Sequence, residues 1–165
     1  MDCVERQLSI QAEAFRWGGQ ASWRSGRPHT GVRLAVLFVA GVAQTIPATA
    51  RTVLIIDDHP SSRASARHVL EDAGFVVIGE AQNGASGLAA ATEMRPAVVL
   101  LDVQLPDFDG FDVAASLTGQ RDGPAVVLTS SRDGSEFGGM VARSGARGFV
   151  PKDELSGPAL EALLG

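Results

Sequence analysis

Five short apolar runs alternate with amphipathic segments from Thr52 onward, and this alternation constrains the chain more than any other feature. Val53–Ile56, Phe75–Ile78, Ala97–Leu101, Ala125–Leu128 and Gly148–Val150 read as strands. Between and after them, Ser61–Ala73, Ala85–Met94, Gly110–Leu117, a segment carrying Phe137, Met140 and Val141, and Pro158–Leu164 read as helices. In the first helix Ala66, Val69, Leu70 and Ala73 recur at helical spacing, and Gly74 stops it. Ala97–Leu101 is apolar at every position rather than at every second one. Such a strand is covered on both faces, which is the condition of a parallel sheet. Right-handed crossovers then predict an α/β domain with a doubly wound, five-stranded parallel sheet and helices on both faces. Phe137, Met140 and Val141 are expected to pack into the core.

Charge divides the 165-residue chain in two. Residues 1–50 hold five Arg against three acids, whereas residues 51–165 hold nine Lys or Arg against sixteen acids. An acidic domain without a basic patch is poorly suited to bind nucleic acid directly, because phosphate contacts need Lys and Arg. The single cysteine, Cys3, rules out an internal disulfide or a multi-cysteine metal site. Residues 1–50 are expected to form an N-terminal extension to a domain spanning 51–165. The apolar run Leu34–Ala43 is too short to span a bilayer as a helix. It resembles the core of a signal peptide, with Ala48-Thr49-Ala50 as a small-residue cleavage site. A disordered extension and a start codon assigned too far upstream remain alternatives. The single cysteine suits a reducing compartment, and a cytoplasmic location is expected.

In a doubly wound sheet, function collects at the carboxyl ends of the strands. The first strand is followed by Asp57-Asp58-His59, the third by Asp102, the fourth by Thr129-Ser130 and the fifth by Lys152. Glu80 ends the second, farther out. Lys152 is the only lysine among fourteen basic residues. Clustered carboxylates repel one another unless a cation shares their site. Oxygen ligands without Cys or several His favour Mg²⁺ over zinc. The residues therefore suggest Mg²⁺ at Asp57, Asp58 and Asp102, with Asp102 as a nucleophile toward a phosphoryl group. Thr129 can donate to one phosphoryl oxygen, and Lys152 can pair with another as a compact charge. His59 reads as a turn residue.

The motifs carrying these residues are Ile55-Ile56-Asp57-Asp58-His59-Pro60, Leu100-Leu101-Asp102-Val103-Gln104-Leu105-Pro106-Asp107-Phe108-Asp109-Gly110, Val127-Leu128-Thr129-Ser130 and Gly145-Ala146-Arg147-Gly148-Phe149-Val150-Pro151-Lys152. In this order they resemble the receiver domain of two-component response regulators, the CheY-like superfamily, across residues 51–165. Asp58 and Asp102 are 44 positions apart (102 − 58 = 44), the family spacing. The details Asp58-His59-Pro60, Gly79-Glu80-Ala81-Gln82-Asn83-Gly84 and Lys152-Asp153 are most similar to receivers of the LuxR/NarL type, which precede a DNA-binding domain.

The resemblance implies a flavodoxin-like strand order of 2-1-3-4-5. It implies that Asp102 is phosphorylated by a histidine kinase or phosphotransfer protein. It adds the backbone carbonyl of Gln104 to the metal ligands Asp57, Asp58 and Asp102, makes Thr129 and Phe149 a switch pair, and gives Gln104 and Ser131 a part in phosphate lifetime. The expected output is a homodimer or an effector bound through the fourth helix, fifth strand and fifth helix. Such a chain would promote its own phosphorylation and dephosphorylation without being a turnover enzyme. The rival readings are the receiver half of a transcription factor and an aspartyl-phosphate enzyme. The latter class wants a second acid where Gln104 stands. Pro151 before Lys152 and Asp153 after it depart from the commoner lysine-proline order, and Gly138-Gly139 weakens the fourth helix.

Overall fold

The computed structural model describes residues 51–132 and 137–165, and the backbone of three strands before them. Those strands, β1 (Ser22–Ser25), β2 (Ala35–Val39) and β3 (Val42–Ile46), form an antiparallel sheet in the order β1-β2-β3. The apolar run at 34–43 thus coincides with β2 and the start of β3. Cys3 and the rest of residues 1–50 lie outside the described residues.

The second sheet is parallel, with β4 (Thr52–Ile56), β5 (Val76–Ala81), β6 (Val98–Asp102), β7 (Ala125–Ser130) and β8 (Gly148–Pro151) in the order β5-β4-β6-β7-β8. This is the 2-1-3-4-5 order of the flavodoxin-like fold. The crossovers carry α1 (Pro60–Asp72), α2 (Gly84–Met94), α3 (Gly110–Thr118) and α4 (Gly138–Arg143). A 3-10 turn, Lys152–Glu154, and α5 (Gly157–Leu164) complete the domain.

Alternate residues of each strand enter opposite cores, as the pleat requires. Leu54, Ile56, Val99, Leu101 and Leu128 pack with Val113, Ala114 and Leu117 of α3 and Ala91 of α2. Val53, Ile55, Val98, Leu100 and Val127 pack on the other face with Ala66 and Leu70 of α1 and Leu160 of α5. This explains the unbroken apolar runs. The helix starts are set locally. Pro60 occupies the first turn of α1, where its fixed φ suits the helix. Asn83 accepts from Ser86 N–H at 2.8 Å and Asp109 from Phe111 N–H at 2.8 Å, capping α2 and α3.

One helix departs from expectation. Phe137 precedes α4 rather than lying within it, and only six residues follow. Phe137 is buried and Val141 packs beside it, but Met140 is 36% exposed and is not core. So short a helix presents a single turn to the sheet, and Met140 falls outside that arc. No helix among the described residues is long and apolar enough to cross a membrane.

Candidate functional site

Four strand ends converge. The β4–β5 ladder continues past Ile56, with Asp57 N–H donating to the Ala81 carbonyl at 3.0 Å. Asp57 is thereby held at the sheet edge, 3% exposed, while Asp58 enters the turn to α1. Asp102 ends β6 in register with Thr129 of β7, and Val103 N–H donates to the Thr129 carbonyl at 2.9 Å. β8 ends at Pro151, and the 3-10 turn that follows brings Lys152 back over the strand ends. The unusual Pro151-Lys152-Asp153 order therefore still delivers the ammonium to the site.

Lys152 Nζ lies 2.6 Å from Asp102 Oδ2 and 2.7 Å from Asp57 Oδ2. Asp57 Oδ1 accepts His59 N–H at 2.8 Å, and Asp102 Oδ1 accepts Gln104 N–H at 3.1 Å. Three carboxylates against one ammonium leave a surplus of two negative charges when all are ionised. Among the described residues, two buried side-chain oxygens have no hydrogen bond, Asp58 Oδ1 and Thr129 Oγ1. His59 Nδ1 lies beside Asp58 Oδ1 but outside hydrogen-bond geometry. Ligand atoms of Asp57, Asp58, His59 and Asp102 all fall within 4.8 Å of one another. Surplus negative charge, an orphaned carboxylate oxygen and clustered hard donors fit a divalent cation. His59, expected only as a turn residue, stands at the edge of this group.

The two buried acids are not equivalent. Burial dominates at Asp102 and pushes its carboxyl up, against the hydrogen bonds from Lys152 and Gln104. Burial also raises Asp57, but hydrogen bonds from Lys152 and His59 N–H outweigh it and hold the carboxyl below its ordinary value. Lys152 is pushed down by burial, yet its bonds to Asp102 and Asp57 prevail and keep it protonated to higher pH than usual. The site opens into a cleft of about 600 Å³ lined by Ser61, Ser62, Thr129, Ser131 and Lys152 among others.

The surrounding loops are fixed by contacts that sequence reading did not anticipate. Asp107 accepts Gly84 N–H at 2.7 Å and Ala85 N–H at 2.9 Å, tying the loop after Asp102 to the start of α2. A Cβ on Gly110 would lie 2.4 Å from the Asp102 carbonyl oxygen, so only glycine allows α3 to begin there. Arg63 Nη1 donates to the Asp57 carbonyl at 2.7 Å. No local pattern marks Arg63, because its partners lie just after β4 and on β5. Phe149 stacks obliquely on Phe137, ring centres 5.7 Å apart, and Phe137 on Phe111 at the same distance.

A doubly wound sheet with two acids after its first strand, a third acid ending its third and a lysine reaching both defines a receiver. The chain belongs to the response regulator receiver domain family, whose model matches residues 53–163. It is 43% identical over 102 residues to the transcription regulator BvgA of Bordetella pertussis, covering 62% of this chain and 49% of that protein. The chemotaxis protein CheY of Listeria monocytogenes is 32% identical over 114 residues, covering 67% of this chain and 93% of that one. Among solved structures, a LuxR-family two-component response regulator from an Aurantimonas species superposes with a TM-score of 0.64. It is 26% identical and covers 70% of this chain and 86% of that one. The chain spans about half the length of BvgA and matches the receiver part.

Proposed function

We propose that Asp102 accepts a phosphoryl group from the phosphohistidine of a histidine kinase or phosphotransfer protein. A carboxylate oxygen of Asp102 bonds to phosphorus, the phosphorus–nitrogen bond breaks, and the donor imidazole leaves. The observation that carries this is Lys152 bridging Asp57 and Asp102 while Asp58 Oδ1 and Thr129 Oγ1 stay buried without a hydrogen bond. Those orphaned atoms are the groups that a cation and a phosphoryl oxygen would satisfy.

Asp57, Asp58, Asp102 and the backbone carbonyl of Gln104 would hold Mg²⁺, which supplies neutralisation of charge developing on the phosphoryl oxygens. Lys152 pairs with one of these oxygens, and the Thr129 hydroxyl donates to another. Recruitment of Thr129 biases Phe149, whose ring is packed on Phe137 at the start of α4. The α4, β8 and α5 face is then the output surface, for a second copy or an effector. Hydrolysis of the acyl phosphate, tuned by Gln104 and Ser131, resets the site. The chain works in this reading as a cytoplasmic signalling phosphoprotein, not a turnover enzyme, with residues 51–165 as the receiver and 1–50 as its extension. Similarity to BvgA favours a second reading of output, in which the receiver governs a DNA-binding domain.

The test is to incubate the protein with acetyl phosphate and Mg²⁺ and weigh it intact. One added phosphoryl group, absent in Asp102→Asn, is expected. No gain, or an equal gain in the variant, overturns the proposal.

A further inference from the structure

Arg63 on α1 has no part in the phosphoryl chemistry, yet its side chain is only 15% exposed and is engaged on two sides. Its Nη1 donates to the Asp57 carbonyl at 2.7 Å. Its Nε donates to Glu80 Oε2 at 3.2 Å, near the end of β5. The other Glu80 oxygen takes Arg67 Nε at 2.7 Å, and Arg67 Nη1 reaches Glu71 Oε1 at 2.8 Å. Arg63 N–H also donates to the His59 carbonyl at 3.1 Å. The Arg63 side chain thus fastens the start of the Asp57-Asp58-His59 turn, its N–H bond to His59 being the first rung of α1, and Glu80 holds its guanidinium in place.

Two effects of Arg63 on cation binding oppose each other. As a positive charge near three carboxylates, it repels an incoming cation, so its removal should tighten binding. As a clamp, it fixes the peptide that joins Asp57 to Asp58, so its removal should loosen the geometry and weaken binding. Glu80 pairs directly with the guanidinium and offsets much of its field at the cluster. The clamp acts through a 2.7 Å bond to the peptide itself. The sign of the change therefore separates the two effects.

We propose that Arg63 is a positioning residue that presets the Asp57-Asp58 turn for a divalent cation, with Glu80 holding it in place. This rests on the metal reading above. The test is calorimetric titration of the full chain with Mg²⁺, for the wild type, Arg63→Gln, Arg63→Lys and Glu80→Gln. Arg63→Gln should weaken Mg²⁺ about tenfold, within the range for partners that orient a ligand. Arg63→Lys keeps the charge but cannot span both partners, so it should weaken binding by a smaller factor. Glu80→Gln should do the same, and combining it with Arg63→Gln should add less than the sum. Unchanged or tighter Mg²⁺ binding in Arg63→Gln overturns the proposal, whatever happens to the melting temperature. Should Arg63→Gln fail to fold, wild-type affinity in Arg63→Lys overturns it equally. A wild type that binds no Mg²⁺ would instead overturn the metal reading itself, and the clamp with it.

Discussion

Lys152 sits between two buried carboxylates and is the counter-charge that lets them share a site. Lys152→Met keeps the aliphatic stem but leaves Asp57 facing Asp102 with no cation between them. Removing one partner of a buried ion pair costs about 3–5 kcal/mol, and partial exposure of this lysine reduces that to about 2 kcal/mol. Urea unfolding should show that loss without metal and partial recovery with Mg²⁺, whereas an unaffected midpoint would mean the acids are already neutral. Asp107 makes a pH-dependent contribution. Desolvation raises its carboxyl, but backbone N–H bonds, those of Ala85 and Gly84 foremost, together outweigh it and hold the carboxyl below its ordinary value. A carboxyl depressed by folding stabilises in full above its unfolded value and loses that contribution as pH falls through the folded one. The stability gap between wild type and Asp107→Asn should therefore narrow in acid, as read from urea midpoints against pH. A constant gap would contradict the tie between Asp107 and the start of α2.

At the level of elements, two glycines should respond in opposite ways to alanine. At Gly110 the new Cβ would meet the Asp102 carbonyl and Val103 Cα, both backbone, so Gly110→Ala should destabilise by about 2 kcal/mol. At Gly139 nothing lies within 4 Å and the residue is helical, so Gly139→Ala should stabilise α4 by up to about 1 kcal/mol. Thermal unfolding of both variants checks the pair. What was legible in the sequence follows the same division. Asp57, Asp102, Thr129 and Lys152 could be found because each ends or follows a strand whose apolar run is unmistakable. The partnership of Arg63 with Glu80 could not, since it depends on how α1 lies across β5. Apolar spacing alone assigns Met140 to the core, because it does not reveal that α4 begins only after Phe137.

Across the whole molecule, the two halves differ in charge and in the kind of sheet they form: residues 1–50 carry the antiparallel strands and residues 51–165 the parallel domain. The parallel domain has a core on each face of its own sheet. A fragment cut at Arg51 should accordingly still take up a phosphoryl group. Loss of phosphorylation on cleavage would tie the extension to the site. In the proposed reaction one carboxylate of the cluster, Asp102, carries the phosphoryl group. Borohydride reduces an acyl phosphate to the alcohol, so treating the phosphorylated protein and sequencing its peptides by mass spectrometry locates the modified residue. Homoserine at position 102 alone, and none when Mg²⁺ is chelated, is the predicted result. Reduction at Asp57 or Asp58, or none at position 102, would contradict it.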